Sequence, residues 1–257
     1  MPSDGSHSSN WDGQCQPDLV LLPQVASWGL PERLLRPAGD IREFEPASFI
    51  ASFARGSSTI LNVGPSWGRD FYGLRTQGQR VFNLDIAAQV RLPHSVLGDV
   101  TRTLPFADGT FDAIIAAEVL EHLIEDHLAL AELRRVLADD GHLIVTVPLY
   151  QDIPRYHVRV HSPRSITRLL AATGFDTELV MYRSGFISHP KLVHGVRKLL
   201  APFGFARRWY AFAVAVDYWW GARPVAARHA RGCYVVASKS KTAFDWRALN
   251  RMTYDNR

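Results

Sequence analysis

The chain has 257 residues, 47% of them apolar, and its 29 Lys and Arg against 25 Asp and Glu leave a formal charge of +4. That composition supports one sizeable core, and the charge alone does not point to nucleic acid. The two cysteines, Cys15 and Cys233, are too few for a disulfide framework or a metal knuckle.

The opening Met-Pro-Ser-Asp-Gly-Ser-His has no basic region followed by an apolar run. No signal peptide is therefore expected, and a cytoplasmic location is. Residues 1–18 are rich in Ser, Gly and Asp and read as a disordered tail. Residues 19–56 mix Pro with short apolar pieces, so 1–56 as a whole is expected to be a tail and lid-like segment. From residue 57 the chain alternates strand and helix signals. Strands are predicted at Thr59–Val63, Val81–Leu84 and Phe111–Ala116, with a short one just before Gly98-Asp99. The crossover from Asp85 to Asp99 is too short for more than a very small helix. Leu130, Leu133, Val136 and Leu137 recur at helical spacing and Asp139-Asp140-Gly141 stops that helix. A buried strand over His142–Val147 follows, closed by Pro148. Ser162-Pro163 reads as an N-cap with Pro at the first helical position, with Ile166, Leu169 and Leu170 as the inner stripe. Gly174 ends that helix before a strand over Thr177–Tyr182, and Cys233–Ala237 is the last strand. The fold class is α/β, a doubly wound and mostly parallel sheet. Its core spans 57–185, a helical insertion spans 186–232, and the last strand with a tail spans 233–257.

In such a sheet, ligands sit outside the carboxyl ends of the strands. After the first strand, Gly64, Ser66 and Gly68 occupy a Gly-x-Gly-x-Gly frame with Ser in the middle, where backbone N–H groups can approach a ligand closely. In the dinucleotide frame Gly-x-Gly-x-x-Gly the third position is Arg69, which counts against a nicotinamide or flavin. Asp85 ends the second strand, where a carboxylate can accept from both hydroxyls of a ribose; its alternative is a turn Asp. Asp99 is placed to accept from an adenine amino group, or else serves its own turn.

At these positions the chain resembles the class I S-adenosylmethionine-dependent methyltransferases, in particular the broad small-molecule methyltransferase-domain group. The likeness rests on Ile60–Gly68, Asp85, Gly98-Asp99, Leu104–Asp112, Glu118-Val-Leu-Glu-His122, Glu132–Leu137 and Phe175 after Gly174. It covers residues 58–183 and implies a seven-stranded Rossmann-like sheet with S-adenosylmethionine as methyl donor. By that likeness Gly64 and Gly68 line the methionine end, Asp85 holds the ribose, and Asp99 with Val100 frames the adenine; Asn62, Ser66 and Glu118 complete the cofactor set. Two positions depart from the family. Asn62 stands where an acid is usual and Ser66 where a glycine is usual, which keeps open a non-catalytic module of the same fold. A dinucleotide enzyme on the same sheet is the other alternative.

Glu118, Glu121 and His122 are spaced to share a helix face. Three readings stand: a capped helix start, a general base at His122, or Mg²⁺, as a similar Glu-x-x-Glu-His arrangement is thought to hold in some quinone-biosynthesis O-methyltransferases. A His in the set disfavours Mg²⁺, and no metal ligands are assigned. Tyr156, His157, Arg159 and His161 lie on a loop expected to face the acceptor, and His157 joins Glu121 and His122 as a catalytic candidate. Strand four lacks the Asn/Asp-Pro-Pro-aromatic turn of DNA-amino methyltransferases, so the expected acceptor is a small molecule, with no nucleic acid, and oxygen is the favoured atom. Residues 191–232 carry eight Lys or Arg and one acid, Asp217, interleaved with aromatics such as Trp209, Trp219 and Trp220. That segment reads as an acceptor cap, as a surface for an anionic (inner) membrane, or as a dimer contact. Its charge-free apolar run, Trp209–Val216, is far shorter than the roughly 20 residues a spanning helix needs.

Overall fold

The structure, a computed structural model, describes residues 56–65, 79–87, 92–150, 157–183 and 230–241, with shorter pieces at 20–21 and 34–35 and positions within 50–54 and 195–228. The expectations for the 1–18 tail, Ser66, Gly68, Tyr156 and the tail beyond 241 lie outside the described residues. Val20–Leu21 and Leu34–Leu35 pair antiparallel as a two-residue ladder separate from the main sheet.

The main sheet has seven strands: β1 (Thr59–Val63), β2 (Arg80–Asp85), β3 (Ser95–Leu97), β4 (Phe111–Ala117), β5 (Leu137–Pro148), β6 (Phe175–Arg183) and β7 (Gly232–Lys239). Their spatial order is β3-β2-β1-β4-β5-β7-β6. The first five are parallel, and β7 runs antiparallel to both β5 and β6. Strand order reverses between β1 and β4, which puts the crevice for a ligand at their carboxyl ends.

The apolar runs explain the centre. In β4 only Asp112 escapes full burial, and β1 is buried from Ile60 to Val63, as expected of parallel strands covered on both faces. Asp112 does structural work: its Oδ2 accepts from the Ser58 and Thr59 amides, both at 2.9 Å, and so pins the entry of β1 to β4. No helix forms in the crossover from Gly98 to Thr110. Phe106 there packs edge-on against Phe111, with ring centroids 4.9 Å apart.

Helix α1 (Asp126–Val136) buries Asp126, Ala129, Leu130, Leu133 and Val136, a stripe at helical period facing the sheet. The acidic turn Asp139-Asp140-Gly141 does follow α1, but as an outward excursion within β5. Phe111 pairs with Leu137 and Ala113 with His142, so the intervening residues are looped out of register. Helix α2 (Pro163–Ala172) begins as anticipated. Ser162 accepts from the Ser165 amide, Ser165 returns the bond to the Ser162 amide, and Pro163 occupies the first turn. Between β6 and β7 the described residues are largely short helical pieces, including Ala201–Phe203 and Pro224–Arg228. The segment begins and ends at one place: Arg183 pairs with Gly232 across the sheet, and the Arg231 amide donates to the Arg183 carbonyl at 3.1 Å. No helix among the described residues is long and apolar enough to cross a membrane.

The α2 cap yields a direct prediction. Ser162→Ala removes one bond of the box and should cost about 1 kcal/mol, read as a fall of roughly 2–4 °C in the thermal midpoint.

Candidate functional site

Strand register assembles the site. Val63 pairs with Leu84 on one side and with Ala116 on the other, so β1, β2 and β4 end level with one another. The chain leaves β1 at Gly64, whose φ of +61° is a left-handed conformation natural to glycine. Its amide donates to the Leu84 carbonyl at 2.8 Å, one residue before Asp85. A Cβ at Gly64 would lie 2.9 Å from a Val119 methyl, so the first turn is closed to larger residues by shape as well as by backbone angle.

Asp85 is half-buried at the end of β2, and its Oδ1 accepts from the Ala87 amide at 2.8 Å. The Gly98 amide donates to the Asp85 carbonyl at 3.0 Å, which ties the end of β3 to the same edge and brings Asp99 and buried Val100 there. Asp99 Oδ1 accepts from both the Thr101 hydroxyl (2.7 Å) and its amide (2.9 Å). Those two bonds hold its carboxyl below the usual aspartate range. Asn62 lies inside the sheet, fully buried, and its amide donates to Asn83 Oδ1 at 3.3 Å across the β1–β2 pair. Its own Oδ1 is buried with no hydrogen-bond partner, so it is an acceptor still open to an N–H. Gly64, Asp85, Asp99 and Val100 therefore lie along one carboxyl edge, with Asn62 just beneath it.

The Glu118–Glu121–His122 group is divided by the fold. Leu120–His122 form a single 3₁₀ turn, and Glu118 precedes it with φ +56°, outside the helical face that the spacing suggests. The Glu118 amide donates to the Thr146 carbonyl (2.9 Å), and its Oε1 accepts from the Thr146 hydroxyl (2.9 Å) and the Arg183 guanidinium (2.5 Å). Thr146 and Arg183 were not apparent as site residues in the sequence. Arg183 ends β6, and nothing local marks it as the partner of a carboxylate 65 residues earlier.

Glu121 and His122 instead meet His157. The Val158 and Arg159 amides both donate to the Glu121 carbonyl, at 2.9 and 3.2 Å, and Arg159 is anchored by Asp126 (2.8 Å) and the Ile124 carbonyl (2.7 Å). This stitching sets the His157 ring 4.8 Å from that of His122, edge to face. His161 is buried, its carbonyl accepting from the Tyr150 amide at 3.0 Å. Burial, then the charge of His122, lowers the His157 pKa, so the ring is neutral near neutral pH. The Glu121 side chain is 1% exposed, its two oxygens lack hydrogen-bond partners, and His122 Nε2 lies 4.0 Å away. Burial first, and the negative Glu118 second, push its pKa up to about 8, with Arg183 opposing.

The sign of that shift makes a testable statement. The folded chain holds the Glu121 proton more tightly than the unfolded chain, whose carboxyl titrates near its ordinary 4.5. Its contribution to stability is therefore greatest below that value and is lost as pH rises toward 8. In chelator-treated protein, Glu121→Gln should lack this dependence. Relative to the parent, its thermal midpoint should improve from about pH 5 to about pH 9 by the equivalent of a few kcal/mol.

Residues 61–145 match the family described as Methyltransferase domain. An uncharacterized 37.1 kDa protein in transposon TN4556 of Streptomyces fradiae is 36% identical over 141 residues, 49% of this chain and 41% of that protein. The chain spans about two fifths of the length of the curated relatives it matches. Among solved structures, the 1,6-didemethyltoxoflavin-N1-methyltransferase of Burkholderia thailandensis, with 1,6-didemethyltoxoflavin and S-adenosylhomocysteine bound, superposes with a TM-score of 0.53. It is 16% identical, with 79% of this chain and 80% of that one covered. The [4+2]-cyclase SpnF superposes at 0.50, with 20% identity and coverage of 75% and 78%. At such identities these likenesses concern the fold. The matched segment and the β3-β2-β1-β4-β5-β7-β6 order agree with them: residues 61–145 are similar to a methyltransferase domain, on the fold of these solved structures.

Proposed function

We propose that the chain is an S-adenosylmethionine-dependent methyltransferase that methylates an oxygen of a small, apolar or lipid-linked metabolite. The observation that carries the reading is the alignment of Gly64, Asp85 and Asp99 on one carboxyl edge, with the unpaired acceptor of Asn62 beneath it. These residues fit the donor: a carboxylate for a ribose diol, an open acceptor for an N–H, and a turn with no room for a Cβ. The donor supplies a methyl group already activated by the adjacent positive sulfur.

The protein's own task is then to bind, align and keep out water. Asp85 holds the ribose, Asp99 and Val100 border the adenine, and Gly64 with Ser66 and Gly68 accommodates the amino-acid end. The Arg183–Glu118–Thr146 network braces the start of the turn that follows β4. Glu121, His122 and His157 lie on that turn and the loop stitched to it, and the two imidazoles can accept a proton from an acceptor hydroxyl. The insertion supports an apolar acceptor or a membrane surface: Leu199 and Phe203 are each 70% exposed, and Arg223 stacks on the half-exposed Trp219 at 3.5 Å.

Calorimetry with S-adenosylmethionine and S-adenosylhomocysteine tests the donor site; micromolar binding or tighter is expected. Asp85→Ala should weaken it at least tenfold, because two charge-assisted hydrogen bonds are worth roughly 1.5–3 kcal/mol each. Release of label from methyl-labelled donor into small-molecule extracts tests transfer. Binding without transfer to any extract would instead favour a non-catalytic module. Flotation with anionic vesicles should recover the protein at low salt and lose it at high salt, and no flotation at either would remove the membrane surface from the proposal.

A further inference from the structure

We propose that Glu121, His122 and His157 form a binding site for a divalent transition metal of the zinc type. Their donor atoms all lie within 4.8 Å of one another. A tetrahedral ion with bonds of ~2.1 Å would hold such atoms roughly 3.4 Å apart, a contraction within reach of side-chain rotation. The carboxylate is the independent pointer to a cation. Both Glu121 oxygens are buried without a hydrogen-bond partner, so the side chain either keeps its proton or gives it up to a bound cation.

The site is also built. Two backbone N–H bonds hold the His157 loop to the Glu121 carbonyl, and Arg159 anchors the far side of that loop to Asp126 and Ile124. The imidazole of one loop is thereby presented to the carboxylate and imidazole of another. Two imidazoles and one carboxylate suit zinc-type ions, whereas Mg²⁺ demands oxygen ligands. The set differs from the one that sequence spacing suggests: Glu118 is held by Arg183 and Thr146, and His157 takes its place.

Three protein ligands leave a position open. On the methyltransferase reading, an acceptor hydroxyl bound there would lose its proton more readily. Metal binding itself stands apart from that reading.

The test uses the full chain, stripped with chelator and titrated with Co²⁺ while visible absorption is followed. One Co²⁺ per chain is expected, displaced by Zn²⁺ and unaffected by excess Mg²⁺. Glu121→Gln and His157→Ala should each weaken Co²⁺ binding at least tenfold, while Glu118→Gln should retain it. Circular dichroism checks folding. Should Glu121→Gln fold poorly, His157→Ala on its loop carries the test. No Co²⁺ band in folded protein, unchanged affinity in His157→Ala, loss in Glu118→Gln, or displacement by Mg²⁺ would each overturn the assignment. Parallel titration with S-adenosylhomocysteine reads the donor site separately, so either claim can fail alone.

Discussion

The parallel register of β1 against β2 and β4 is the constraint on which the site depends. Because side chains alternate faces along a strand, a slip of one residue would carry Asn62 to the opposite face and move Asp85 out of step with Gly64. The register is held by burial and by polar bonds together. Ile60, Leu61, Val81, Leu84, Ile114 and Ile115 are all buried, so a slipped pairing would misplace a whole apolar set. Asp112 ties the start of β1 to β4, and Asn62 faces Asn83 across the β1–β2 pair. Gly64 then turns under Val119 with its amide on Leu84, which fixes the end of β1 against β2.

A second constraint joins the two halves of the sheet. Arg183 is the last residue of β6, and its guanidinium reaches the Glu118 carboxylate at the end of β4, with Thr146 of β5 between them. Arg183 also receives the Arg231 amide at the opposite stem of the insertion, and the Arg231 carbonyl accepts from Leu149. The insertion thus begins and ends beside Glu118. Glu118 itself has a backbone angle uncommon for a residue with a side chain, and the bonds from its amide to Thr146 and to its carboxylate from Thr146 and Arg183 hold it there.

Other family-like residues are structural. Leu104 and Phe106 belong to the Leu104–Asp112 stretch that carries part of the family likeness, and Glu132 and Arg135 of α1 account for its shape. Glu132 Oε1 accepts from the Leu104 amide at 2.7 Å, and Arg135 donates to the Leu104 and Phe106 carbonyls and to Asp108. The bond from Arg135, then that from Leu104, holds the Glu132 carboxyl below its ordinary range despite partial burial. The clamp replaces a helix in the β3-to-β4 crossover, which reconciles a short connection with a well-packed Phe106.

Much of the fold was legible because its signals are local. Apolar runs marked β1, β4 and β5, the 3.6-residue period marked α1, and Ser162-Pro163 marked the start of α2. Gly64 and Asp85 could be paired in advance because a strand, a turn and a second strand leave little freedom in where they end. The division of Glu118 from Glu121 could not be read this way, since i, i+3 spacing presumes a helix and the chain makes only one 3₁₀ turn after a positive-φ residue. Nor could the meeting of His157 with His122, which depends on two backbone bonds from a distant loop to the Glu121 carbonyl. The sequence by itself determined the strands, the helices and the level ends of β1 and β2 at Gly64 and Asp85, since those follow from periodicity and turn chemistry within short windows. The tertiary structure alone decided which charged and imidazole side chains share a space, because burial and long-range hydrogen bonds are settled only when the sheet closes around them.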